Sequence, residues 1–262
     1  MLFRNVKDVI PCGMFSIEHF ILLAITIASI IIALKYTRNS SEDRVKQIIK
    51  KTMVILWILE IIKIIFNIFN YGITAINKYV PLYFCSLILY AGIFSSFCTG
   101  KLKRMGDVFL SSGGIIAGII FLIYPLTSLT TYPAVHFISI HSFILHGVMV
   151  YIGILMLITK YVILDKKDII YYFSMIFIIS VIAYIINVFC NSNLMFISQN
   201  YPGTFIEIIY NISGAIFPIV MIVAQSTLPF CIVYGIYKAI LTKRVEKTHI
   251  NTDNTEKEKI YN

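Results

Sequence analysis

The side chains best suited to chemistry in this chain are a few polar groups set in long apolar runs. Glu60 and Lys63 stand three residues apart in one such run, so on a helix they share a face and form an intramembrane charge pair. His19, Asn67, Asn70, Tyr83, Cys85, His141, His146 and Asn187 come from five different runs. Cys85 and His146 offer a thiol and an imidazole, the pairing used for nucleophilic acyl chemistry when the imidazole removes the thiol proton. Tyr83 is placed to donate a hydrogen bond beside them. His141 and His146 are five residues apart, which on a helix sets them about 140° apart, so they face different neighbours. The five cysteines form no CxxC pair and no metal spacing with histidine, so neither a metal nor a disulfide framework is expected. Walker A, GxGxxG and HExxH motifs are all missing, so no cofactor is expected.

The elements that must carry these groups follow from composition. Of 262 residues, 58% are hydrophobic and 13% charged, with a mean hydropathy of +0.85. A soluble domain is closer to 25% charged, so the balance excludes a soluble enzyme and implies a polytopic membrane protein. Seven runs reach the roughly 20 residues that a helix needs to cross hydrocarbon. They lie near 17–35, 52–71, 80–98, 108–127, 138–160, 168–190 and 212–240. The fold class is therefore all-α, a seven-helix transmembrane domain over 1–242 followed by a polar tail over 243–262 that is expected to be disordered. Pro218 and Pro229 are expected to kink the last span. The 112–118 stretch, SGGIIAG, reads as a small-residue packing face.

The net charge of +9 does not signal a nucleic-acid partner, because the charges sit in short clusters between the runs. Eighteen of the 22 Lys and Arg fall on one side of the implied bundle and three on the other, with Lys63 inside a span. The positive-inside rule then sets the N-terminus outside and the C-terminus inside, the parity that seven spans require. No signal peptide is read at the start. In this frame His19, Asn67, Tyr83, Cys85, His141, His146 and Asn187 share the outer half of the bundle, where convergent polar groups would line a pocket. Membrane lipids are the expected partners, and the cell membrane the expected location.

The order of certain segments is also distinctive. Span three opens YVPLYFCSLILY and span four KRMGDVFLSSGGIIAGIIFLIYP; after it comes YPAVHFISIHSFILHGVMVYIGILML, and after span six NVFCNSNLMFISQNYPGTF. Over nearly the whole chain, from FSIEHF at 15–20 to the last span, this order resembles the YwaF family of bacterial integral membrane proteins, whose vertebrate relatives are regarded as lipid acyltransferases. The resemblance implies that the family's span-one histidine falls on His19, its span-five histidine on His146, and its span-six asparagine on Asn187 or Asn193. Where the family usually has Leu-Pro-Leu-His-x-Cys, this chain keeps Cys85 but carries Tyr83 in the histidine slot. The expectation is a lipid acyltransferase-like protein with Cys85 and His146 in the catalytic roles. A small-solute permease and a non-catalytic lipid-binding protein are the alternatives.

Overall fold

The computed structural model describes residues 2–261, with side chains through 243. Of the tail expected to be disordered, 243–262, all but Lys243 lies outside the residues described in full. Among the described residues every regular element is helical. Six stretches are long and apolar enough to cross a membrane, and Phe84–Phe97 is a shorter apolar seventh. The chain is thus a polytopic helix bundle.

Each helix begins and ends where local chemistry dictates. The first, α1 (Ile17–Thr37), starts at Ser16, whose hydroxyl accepts from the His19 N–H at 3.2 Å. Ser41 caps α2 (Glu42–Tyr71) in the same way, and Gly72, at φ 80°, ends it. A single turn, α3 (Ile76–Tyr79), precedes Pro81. Proline pushes the residue before it out of the helical region, and Val80 is extended, with ψ 120°. Span three consequently starts later than its apolar run. A 3₁₀ turn over Phe84–Ser86 leads into α4 (Leu87–Phe97), about 21 Å of helix in all.

Span four is broken. Ser112, at φ −134° and ψ −83°, separates α5 (Gly100–Ser111) from α6 (Gly113–Ile123). Then follow α7 (Phe137–Ile158) and α8 (Ile169–Cys190), which ends on Asn191 in the left-handed region. The last span is divided into α9 (Phe205–Ser213) and α10 (Phe217–Tyr261) by Gly214, at φ 52°. Pro218 stands at the second position of α10, where its missing N–H costs nothing, and Pro229 lies inside the helix.

The α5–α6 stretch is the most enclosed of the spans. It packs against α4, α7 and α8, while α2 lies between α4 and α7, and α1 leans on α7. Glycines set these close crossings. A Cβ on Gly106 would lie 2.4 Å from the Ala91 carbonyl oxygen, one on Gly118 2.7 Å from that of His146, and one on Gly153 2.6 Å from that of Leu110. Two glycines of the 112–118 stretch therefore do serve packing, Gly118 against α7 and Gly113 against Tyr172.

Candidate functional site

The charge pair read from the sequence is a cluster of three. Glu60 is completely buried near the middle of α2. Lys63 Nζ stands 2.5 Å from Oε1, and His141 Nε2, from α7, stands 3.2 Å from Oε2. Each carboxylate oxygen thus has one basic partner, Lys63 at Oε1 and His141 at Oε2. Helix α2 reaches this position because Trp57 ties it to α4, its indole N–H donating to the Leu89 carbonyl at 3.3 Å while its ring meets Tyr90 edge-on. An imidazole whose Nε2 faces a carboxylate carries its proton there, which leaves the lone pair on Nδ1.

His146 has the opposite tautomer. Its Nδ1–H donates to the Ser142 carbonyl one turn back, at 2.7 Å. The ring lies flat on Phe121 of α6, with centroids 3.7 Å apart and planes 12° from parallel. Nε2 therefore presents a buried lone pair that meets no partner. The 140° offset along α7 is realised: His141 turns toward α2 and His146 onto α6. Cys85 lies half-buried in the Phe84–Ser86 turn, which packs on α6, the helix that carries Phe121.

The remaining sequence candidates have their hydrogen bonds taken up by the fold. His19 accepts from the Phe15 N–H at Nδ1 and donates from Nε2 to the Leu122 carbonyl, at 3.1 and 3.0 Å, tying α1 to α6. Tyr83 donates to the Asn77 carbonyl at 3.1 Å and packs on Phe196. Asn67 donates to the Lys78 carbonyl. Asn187 accepts from Ser192 and from the Leu194 N–H and donates to the Leu194 carbonyl and Ser198, so it shapes the 191–198 loop. A cavity of about 310 Å³ forms an apolar groove between α1 and α7, lined by Thr26, Phe143 and Gly147 among others. None of the candidate residues lines it. Among the described residues no group of His, Cys, Asp or Glu is arranged to hold a metal.

Two charged networks escaped the sequence reading. On α5, buried Asp107 accepts from Lys103 at 2.5 Å and from Ser95 of α4 at 2.6 Å. Arg104 donates through Nε and a terminal nitrogen to both oxygens of buried Asp168, at 2.7 and 2.5 Å, and to the Ile163 carbonyl at 2.8 Å. The four-residue spacing of Lys103 and Asp107 was a legible signal. The pairing of Arg104 with Asp168, 64 residues away, had none.

Against known proteins, the chain matches the family model described as the TMEM164 family over residues 14–237. No curated protein and no solved structure matches it.

Proposed function

We propose that this chain, which belongs to the TMEM164 family of transmembrane proteins, is a multi-pass cell-membrane enzyme of the YwaF type that moves an acyl chain from one lipid to another. Its N-terminus faces outside, and the site opens in the outer half of the bundle. The observation that supports this reading best is the free, buried Nε2 of His146, oriented by the Ser142 carbonyl and the Phe121 ring. A base needs a fixed direction and an available lone pair, and this imidazole has both.

In this reading Cys85 Sγ–H gives its proton to His146 Nε2, and the sulfur attacks the carbonyl carbon of a donor lipid ester. The ester C–O bond breaks, the departing oxygen takes the proton back from His146, and the acyl group stays on Cys85 as a thioester. An acceptor hydroxyl then attacks the thioester, losing its proton to His146, and the thiol is restored. Glu60 holds Lys63 and His141 in place.

The test uses full-length protein in phosphatidylcholine liposomes with an isotopically labelled acyl chain and a lysophospholipid acceptor. Mass spectrometry should find the label on the acceptor. Transfer no faster than in protein-free liposomes would remove the reading. The charge cluster at membrane depth favours a small-solute carrier as the second reading, and counterflow in the same liposomes would support it.

A further inference from the structure

The break at Ser112 leaves a helix N-terminus inside the bundle. The first N–H groups of a helix have no partner within it and carry partial positive charge. At most helix starts a side chain covers them, but the Ser112 hydroxyl turns back to the Val108 carbonyl, and no side chain caps α6. Gly113 and Gly114 thus start α6 with bare backbone.

Tyr172 of α8 meets this point from a different direction. It is fully buried, and its hydroxyl has no hydrogen-bond partner. A Cβ on Gly113 would sit 2.5 Å from that hydroxyl, so the oxygen lies beside the first residue of α6. The ring is held by stacking on Phe109, with centroids 6.1 Å apart and planes 10° from parallel. Phe109 in turn meets the ring of Phe84, the residue before Cys85, at 5.7 Å. The Phe84–Ser86 turn itself packs on α6.

We propose that the backbone N–H groups of Gly113 and Gly114 together with the Tyr172 hydroxyl form a site for the carbonyl oxygen of an acyl ester. All three groups donate, so the ligand atom must accept. Neither α6 nor α8 carries a Lys or Arg to neutralise a permanent anion such as a carboxylate or phosphate. At this depth an unpaired ion is expensive, so the ligand is a neutral carbonyl whose oxygen becomes charged only transiently. The inference rests on the acyl-transfer reading for its chemistry. As the Cys85 sulfur bonds to the carbonyl carbon, the π pair moves onto the oxygen, where the three donors hold it. When the C–O bond to the leaving group breaks, the pair returns to restore the carbonyl. This makes Tyr172 a catalytic residue that the sequence did not single out.

The probe is a long-chain methyl ketone carrying ¹³C at its carbonyl, bound to full-length protein in phosphatidylcholine nanodiscs. Infrared spectroscopy should show a carbonyl band shifted to lower frequency on wild type, and Tyr172→Phe should abolish the shift. Where transfer is measurable, the same variant should lower kcat about tenfold or more while KM stays within about twofold, as expected for lost oxyanion donation. A wild-type band at the position seen in protein-free nanodiscs, or a shift retained in Tyr172→Phe, would overturn the site even if the protein transfers acyl chains. A shifted band on a protein that transfers nothing would instead remove the enzyme reading and leave the carbonyl site standing.

Discussion

The two ends of the bundle handle buried charge differently. At the lysine-rich end, Asp107 and Asp168 are both buried, yet each accepts aligned hydrogen bonds from a cation and from a neighbouring group, at 2.5–2.8 Å. Among these, Arg104 meets Asp168 through two parallel bonds, the geometry in which guanidinium and carboxylate hold each other best. Around the histidines, Glu60 is paired with Lys63 and His141, but His146 Nε2 meets nothing. A buried polar group left unsatisfied costs about 1–3 kcal/mol. One end is therefore built as a staple, and the other retains bonding capacity that stability alone does not explain. A buried, oriented imidazole with a free lone pair is what a general base requires.

The largest effect that would sharpen this contrast lies at the thiol. Cys85→Ser or His146→Ala should lower acyl transfer by about a hundredfold or more, the range lost with a general base or its nucleophile. Cys98→Ser, at the far end of α4, should stay within about twofold of wild type. Rates of the three purified variants in the liposome assay decide it. Equal, mild losses for both cysteines would assign Cys85 to packing and shift the reading toward lipid binding without turnover.

The next effect tests whether Glu60 belongs to a site or a staple. Glu60→Gln leaves Lys63 without its counter-charge and should cost about 3 kcal/mol of stability, as for other broken buried pairs. Adding Lys63→Met should recover most of that stability, because the pair then disappears together. If the pair also serves the thiol, activity should stay low in the double variant while its melting temperature recovers. Recovery of both would make the cluster structural, and the contrast between the two ends would fail.

Much of the fold was legible because helices in a membrane must be apolar along their length. Run length sufficed to locate the apolar helices, six of them long enough to cross a membrane and Phe84–Phe97 shorter. The break at Ser112 was hidden, because SSGGIIAG is as compatible with a continuous small-residue helix as with a broken one. The candidate residues could be grouped by run in the sequence, but not matched with their partners. His141 and His146 could be assigned different faces from their spacing, yet which of them meets Glu60 depends on how α2 packs on α7. His19, Asn67 and Asn187 were attractive for their polarity. Their carbonyl, amide and hydroxyl partners lie up to 103 residues away, as for His19 and Leu122, and no local pattern records such bonds. Tyr172 was hidden among 17 tyrosines because nothing in sequence shows that its hydroxyl lacks a partner.

The staple end should respond in stability and not in catalysis. Arg104→Met removes a bidentate pair and a bond to the Ile163 carbonyl, and leaves buried Asp168 with only the Asp165 N–H. Because Arg104 is partly exposed, the loss should be about 2 kcal/mol, within the range for hydrogen bonds to charged groups. Thermal unfolding followed by tyrosine fluorescence reads it. Per-molecule activity below the melting transition should match wild type, and a selective activity loss would show that the two ends communicate.

The smallest effect concerns His136, which caps α7 just outside the span. Its Nδ1 accepts from the Ile138 N–H and its Nε2–H donates to the Arg4 carbonyl, both at 3.1 Å. Burial holds this imidazole below the usual histidine range, although the bond to Arg4 works the other way. Its neutral form is therefore the one that fits, since a proton on Nδ1 would abolish the cap. A depressed folded value means that its contribution to stability is complete above the unfolded value of about 6.5 and is lost as pH falls through the folded value. His136→Asn keeps a capping acceptor but cannot titrate. The melting temperature of the variant should lie slightly below wild type at pH 8, by less than about 1 kcal/mol of stability, and the gap should narrow on acidification. A gap that stays constant from pH 8 to pH 5 would mean that His136 keeps its proton state throughout, and that no part of the bundle's acid sensitivity comes from the mouth of α7.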